Sequence, residues 1–189
     1  MKAIGVDIGG TSVKLAVIDV DAASVLSRGS FPTDASSSQP EPAQRLSQRI
    51  AERIKPWIEE YSIDLVGVGV PGAMNEDRSL VRYPPNLLGW KEEPLRDMLR
   101  AQLPESVRVE VDNDANVATI AEAMLGAAQG IDNFLLATLG TGVGGGLWLN
   151  GQLYRGTSGG AGEFGHLSID IDGPKCGCGS RGCIEAYLG

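Results

Sequence analysis

Apolar residues recur along this chain with two periods. Ala3–Val6, Val13–Ile18 and the stretch around Ser24–Phe31 are apolar or alternating runs bounded by turn residues, and read as strands. A polar loop, Pro32–Pro42, follows. Leu46, Ile50, Ile54, Trp57, Ile58 and Tyr61 then fall at helical spacing and predict an amphipathic helix. Leu65–Val70 reads as a strand closed by a Pro71-Gly72 turn. A loop from Asn75 to Trp90 leads to a short helix near Pro94–Leu103. Val107–Val111 predicts a strand, Asp112–Asp114 a polar turn, and about Ala115–Leu125 a helix stopped by Gly126. Phe134–Leu139 reads as a buried strand. The apolar run after it is broken by Asn150-Gly151, a favoured type I′ hairpin turn. Strands, hairpins and helices alternate, which indicates an α/β fold.

Gly140, Gly142 and Gly145 spell G-x-G-x-x-G, but the flank argues against a dinucleotide fingerprint. That fingerprint needs a helix after the glycines, and here a strand and a hairpin follow. The first twenty residues supply a better comparison. There, too, an apolar strand, a Gly-Thr-containing turn and a second apolar strand succeed one another, with Asp7-Ile8-Gly9-Gly10-Thr11 at the turn. Two such turns can face each other and hold one polyphosphate through backbone N–H groups. An ordinary glycine-rich hairpin explains one of them; a matching pair, one with an acid, favours phosphate. No G-x-x-x-x-G-K-[ST] occurs, so this is not a P-loop.

The bulk properties narrow the classes. The 189 residues are 42% hydrophobic and 21% charged, ordinary for a globular protein. A formal net charge of −8 argues against a nucleic-acid backbone as partner. No apolar run is long enough to span a bilayer, and the N-terminus lacks a signal-peptide pattern, so no membrane partner is expected. Three cysteines packed into one segment do not form a disulfide framework. A cytoplasmic location is the resulting expectation.

Several residues are candidates for chemistry. Asp112-Asn113-Asp114-Ala115-Asn116 lies between a strand's carboxyl end and a helix N-terminus. One of these residues suffices as a cap. Four polar groups in five residues suit the place where open α/β sheets bind ligands. Asp114 is the choice for a base that accepts a proton from a substrate hydroxyl as phosphoryl transfer begins. Asp7 is a common Asx-turn residue, yet beside a polyphosphate it would hold Mg²⁺, directly or through water. His166, Cys176, Cys178 and Cys183 make a Cys₃His set, the ligand count of a closed structural Zn²⁺ site. Glu163 and Glu185 are either solvated surface charges or carboxylates matched to vicinal sugar hydroxyls.

As a set, "DIGGT", "DNDAN", "LGTGVGGG", "GAGEFGH" and "CGCGSRGC", in this order, resemble the ROK family (repressor, open reading frame, kinase), within the actin-like ATPase (ribonuclease H-like) fold. The resemblance covers essentially the whole chain. It implies ATP-dependent phosphorylation of a hexose at the 6-hydroxyl, most simply glucose, with N-acetylhexosamine or fructose as alternatives. Asp7, Gly9, Gly10, Thr11 and Lys14 would form the first phosphate motif, and Gly140, Thr141, Gly142 and Gly144 the second. Asp114 would be the general base. Asn113, Glu163, His166 and Glu185 would hold sugar hydroxyls, with Gly72 and Asn86 in segments lining the pocket. His166 would put one nitrogen on zinc and the other toward the sugar.

Family kinases are longer than this chain. The resemblance therefore implies a complete N-terminal domain, 1–115, and a partial second domain, 116–189. It also implies exposed apolar surface and an uncovered sheet edge, prone to association; a homodimer is one outcome. The family also includes sugar-responsive repressors, which carry a helix-turn-helix before the first phosphate turn. With Asp7 so near the start of the sequence, a helix-turn-helix before it is not expected, and a pure sensor would tolerate loss of Asp114. An inactive zinc-stabilised module is the third alternative.

Overall fold

The computed structural model describes residues 1–34, 40–157 and 159–189. Part of the polar loop predicted over Pro32–Pro42, and Ser158 of the later glycine-rich run, lie outside the described residues. Contacts divide the chain into two units, Met1–Asp114 and Ala115–Gly189. No helix among the described residues is long and apolar enough to cross a membrane.

The first unit is built on a meander. β1 (Lys2–Ile8), β2 (Ser12–Asp19) and β3 (Ser24–Pro32) pair antiparallel in sequence. The chain then forms α1 (Ala43–Tyr61) and returns as β4 (Leu65–Val70), parallel to β1. Three two-residue strands, β5 (Ala73–Met74), β6 (Val81–Arg82) and β7 (Glu92–Glu93), make a small separate sheet, with β6 inside the expected loop and β5 and β7 just outside its ends. α2 (Leu95–Arg100) precedes β8 (Arg108–Asn113), which lies parallel to β4. The large sheet thus has the order β3-β2-β1-β4-β8.

Its core follows from the sequence periods. α1 buries Leu46, Ser47, Ile50, Ala51, Ile54 and Ile58, one stripe at i, i+3 and i+4 spacing. Ile4, Ile8, Val13, Val17, Val66, Val68 and Val70 are fully buried on the strands. Leu95 and Leu99 of α2 close the same cluster. Each such side chain contributes about 1.5–3 kcal/mol by leaving water. α1 runs through Pro56 and ends on Ser62, which adopts φ 54°, while Ile63 N–H reaches back to the Ile58 carbonyl.

The second unit contains α3 (Asp114–Leu125, whose first residue closes the first unit) and a three-stranded antiparallel sheet. β9 (Phe134–Leu139), β10 (Val143–Leu149) and β11 (Gln152–Tyr154) pair in the order β11-β10-β9. Asn150 and Gly151 have φ 53° and 74°, the two left-handed residues a type I′ turn requires. A short 3-10 turn covers Phe164–His166, and α4 covers Glu185–Leu188.

Three expectations are corrected. β9 is not buried throughout: its positions alternate, with Leu135, Ala137 and Leu139 exposed, because successive side chains point to opposite faces of the sheet and one face is uncovered. No polar turn separates the strand ending near Val111 from the next helix. β8 continues through Asn113 because the Val70↔Asn113 pairing with β4 extends it, and α3 begins at Asp114. Asp7 lies inside β1, paired across the sheet with Lys14, rather than in the turn itself.

Candidate active site

In the first unit, strand register gathers the candidates. Asp7 stands beside Gly69 of β4, and Gly69 beside Asp112 of β8. The carboxyl ends of three parallel strands therefore lie in a row, the place where open α/β sheets bind ligands. From β1 the chain enters the Gly9–Thr11 turn, from β4 the Pro71-Gly72 turn, and from β8 the Asn113-Asp114 junction. Asn113 Nδ2 donates to the Gly72 carbonyl at 3.1 Å, which ties two of these ends together. Gly72 needs to be glycine: its φ is +104°, and a Cβ there would meet the Arg82 carbonyl and Pro84 Cα at 2.9 Å. Asp114 is exposed at the first residue of α3, where a helix N-terminus favours negative charge.

The first glycine turn is closely packed on one side. A Cβ on Gly10 would lie 2.8 Å from Asn86 Cβ and 3.0 Å from the Asn86 carbonyl, so Asn86 reaches the turn directly. Gly9 N–H donates to the Ser12 carbonyl at 3.0 Å. Among the described residues, the Gly10 and Thr11 N–H groups donate to no other residue. Lys14 Nζ lies 3.4 Å from Asp7 Oδ2, an exposed cross-strand pair worth little to stability.

Two further charged contacts support this edge and were not legible in the sequence. Arg78 Nη1 lies 3.6 Å from the buried Asp112 carboxylate and its Nη2 3.7 Å from Glu110. Arg78 reaches them from the loop before β6, where it adopts φ 56°. The hairpin that aims Arg78 is set by Asn75 and Ser79 side chains, a turn chemistry visible only once the loop's short strands are known.

In the second unit the glycines serve packing as well as backbone approach. A Cβ on Gly145 would overlap the Phe164 ring, one on Gly146 would overlap Thr119 Oγ1, and one on Gly144 would come within 2.6 Å of Thr138 Oγ1. A Cβ on Gly142 would lie 2.5 Å from Glu185 Oε2. Of the five glycines between 140 and 146, Gly140 alone has open space around it. Glu185 Oε2 accepts from Val143 N–H at 3.0 Å, so the second turn already draws a carboxylate to its backbone.

His166 and the three cysteines converge. One ligand atom from each lies within 4.8 Å of every other. The Cys178 and Cys183 sulfurs are 3.7 Å apart, and Cys176 Sγ is 3.7 Å from His166 Nδ1. A tetrahedral zinc with bonds of about 2.3 Å to sulfur sets its sulfurs about 3.8 Å apart, so this donor set fits that ion. The thiols are electrically crowded. The Cys178 backbone N–H draws the Cys176 thiol down, yet burial and the Cys178, Cys183 and Glu185 side chains outweigh it and push the thiol up to about 11. Cys178 moves the opposite way, lowered first by the Ser180 backbone N–H and then by Cys176. A dication would displace the thiol protons and relieve this crowding.

The two ring nitrogens of His166 face different groups. Nδ1 looks toward Cys176 and toward Glu185 Oε1 at 3.8 Å; Nε2 lies 3.9 Å from Glu163 Oε2. Glu185 Oε1 also takes the Cys176 thiol at 3.5 Å. The structure thus brings Glu163, His166, Glu185, the cysteines and Gly142 into one neighbourhood of the second unit. It brings Asp7, Gly9, Gly10, Gly72, Asn86, Asn113 and Asp114 to the sheet edge of the first.

A family model described as the ROK family matches residues 3–189. The glucokinase of Streptomyces coelicolor is 39% identical over 184 residues, 97% of this chain and 55% of that protein. The xylose repressor of Bacillus subtilis is 39% identical over 127 residues, 67% of this chain and 32% of the repressor. Among solved structures, a ROK family glucokinase from Streptomyces griseus in complex with glucose and AMPPNP superposes with a TM-score of 0.84 at 37% identity. The match covers 99% of this chain and 57% of that one. The chain spans about half the length of the curated glucokinases it matches.

Proposed function

The chain belongs to the ROK family and has the actin-like ATPase fold, and on that premise we propose that it carries the sugar-binding and phosphate-binding motifs of an ATP-dependent hexose kinase. The hexose proposed is glucose, phosphorylated at its 6-hydroxyl. The observation that carries the reading is the row of three parallel-strand ends, which sets the Gly9–Thr11 turn, Gly72, Asn113 and Asp114 along one edge.

Each residue then has a task. Asp114 accepts the proton of the 6-hydroxyl as its oxygen attacks the γ-phosphorus, and the bond from that phosphorus to the β–γ bridging oxygen breaks. In the first unit, amides of the Gly9–Thr11 turn hold phosphate and Lys14 adds charge beside them; in the second unit, Gly140, Thr141, Gly142 and Gly144 form a phosphate turn of their own. Asp7, an exposed oxygen donor, would hold Mg²⁺, which neutralises phosphate charge when bound. In the first unit Asn113 binds a sugar hydroxyl, with Gly72 and Asn86 in the segments beside it; in the second unit Glu163, His166 and Glu185 are the sugar-hydroxyl ligands. His166 and the three cysteines would hold Zn²⁺ as a structural clamp, with all four positions filled by protein.

The test is a coupled ADP-release assay across a hexose panel on the full-length gene product. Sugar-dependent turnover that is greatest with glucose supports the reading, and its absence with every hexose ends it. A second reading, a sugar-responsive repressor, draws on the match to the xylose repressor. Sugar binding without turnover, coupled to operator binding, would favour that reading instead.

A further inference from the structure

Thr33 follows Pro32, the last residue of β3, and belongs to neither glycine turn. Its hydroxyl donates to the Gly9 carbonyl at 2.7 Å, and its N–H donates to the Thr11 carbonyl at 3.0 Å. A peptide unit is planar and trans, so fixing a carbonyl fixes the next residue's N–H in the opposite direction. Thr33 therefore sets two peptides of the first glycine turn. With the Gly9 carbonyl drawn to Thr33, the Gly10 N–H is turned to the other side.

The residues flanking Thr33 are themselves held. Arg49 of α1 donates from Nη2 to the Pro32 carbonyl at 2.8 Å, and its Nη1 lies 3.3 Å from the Asp34 carboxylate. Nη1 also grips both oxygens of Glu41 at 2.8 and 2.7 Å, and the Glu41 side chain is only 2% exposed. Glu41 in turn accepts from Asp34 N–H at 3.3 Å, and its own N–H donates to the Asp34 carbonyl at 3.0 Å. Trp90 Nε1 donates to the Glu41 carbonyl at 2.9 Å, and Arg49 and Arg53 each lie 4.8 Å from the centre of the buried Phe31 ring. Nothing in phosphoryl transfer calls for a half-buried ion pair at this place, whereas holding residues 32 and 34 rigid on either side of Thr33 does.

We propose that Thr33 is a positioning residue for the first phosphate turn, and that the half-buried Arg49–Glu41 pair holds it there. The proposal rests on the reading of Gly9–Thr11 as a phosphate cradle. Thr33→Val keeps the backbone N–H and the shape but removes the hydroxyl donor. In the full-length gene product it raises KM for ATP about five- to tenfold, the worth of one net hydrogen bond, and leaves KM for the hexose within about twofold. Thr33→Ser, which restores the hydroxyl, returns KM for ATP to near the native value. Arg49→Lys keeps the charge but not the fork, and raises KM for ATP in the same direction. An active Thr33→Val protein with native KM for ATP overturns the proposal, and native KM in Arg49→Lys overturns the role of the ion pair. Should the native protein show no sugar-dependent turnover, the kinase reading fails by itself. Hydrogen exchange then decides about Thr33: the Gly9 and Thr33 amides exchange about fivefold faster in Thr33→Val if it positions the turn. Unchanged exchange overturns it.

Discussion

Gly146 shows how one residue type carries two meanings that a sequence cannot separate. A glycine-rich run reads as a backbone cradle for phosphate, and the run at 140–146 has that pattern. Yet a Cβ at Gly146 would overlap Thr119 Oγ1 and lie 3.3 Å from the Ala115 carbonyl, so this glycine lets α3 approach β10. Gly146→Ala should lower stability by about 1–3 kcal/mol in denaturant titration, the range for overpacking a filled site. Adding Thr119→Ala should recover part of that loss, and full additivity of the two would argue against the contact. Asp114 is the opposite case. Spacing alone singled it out, and its place at the head of α3, beside the Asn113–Gly72 hydrogen bond, suits a base. Asp114→Asn should lower turnover about 10²–10⁴-fold with the unfolding midpoint unchanged, measured by ADP release and thermal melting. Full activity in that variant removes Asp114 from its role. Thr33 was invisible in the sequence because its partner turn lies 24 residues away.

Whole elements were legible where one period ran unbroken. α1 is the clearest: its stripe of apolar residues at helical spacing became the buried face against the sheet. Ile54, wholly buried near the middle of that stripe, should cost about 2–5 kcal/mol when cut to alanine, read as a shift of the denaturation midpoint. The three two-residue strands between 73 and 93 were missed because so short a pairing leaves no period to read. The convergence of the cysteine segment was legible for a different reason, since ligand chemistry and close spacing pick out a cluster without any regular structure. What spacing could not give is that Glu185 links this cluster to the second turn through Val143 N–H. Zinc analysis should find one ion per chain. Stripping it with a chelator should speed hydrogen exchange over 166–185 while leaving α1 and the large sheet protected. A metal-free protein with native protection in that segment would mean the four side chains converge for another reason.

Across the molecule, burial is unevenly shared between the two units. The large apolar cluster runs from Ile4 to Val111, all of it in the first unit. In the second unit, Met124, Leu125, Ile131, Leu135, Leu139 and Ile171 are exposed. The sheets offer a reason. In the first unit β1 is flanked by β2 on one side and by parallel β4 on the other. In the second, β9 stands in the same relation to β10 but has no strand on its other side among the described residues. An apolar strand with one unpaired edge is a template for pairing with another chain. We therefore expect the 189-residue chain to self-associate through β9, with the association rising steeply with concentration in sedimentation velocity. Leu135→Lys places a charge on the exposed face, outside the glycine turns, and should return the chain to a monomer without lowering the stability of the first unit. A chain that is already monomeric at high concentration, or a Leu135→Lys variant that associates as strongly as the parent, would move the sticky surface away from β9. A second candidate is the exposed Leu167, Ile169 and Ile171 beside the cysteine cluster, and lysine substitutions there that abolish association would place the surface on it.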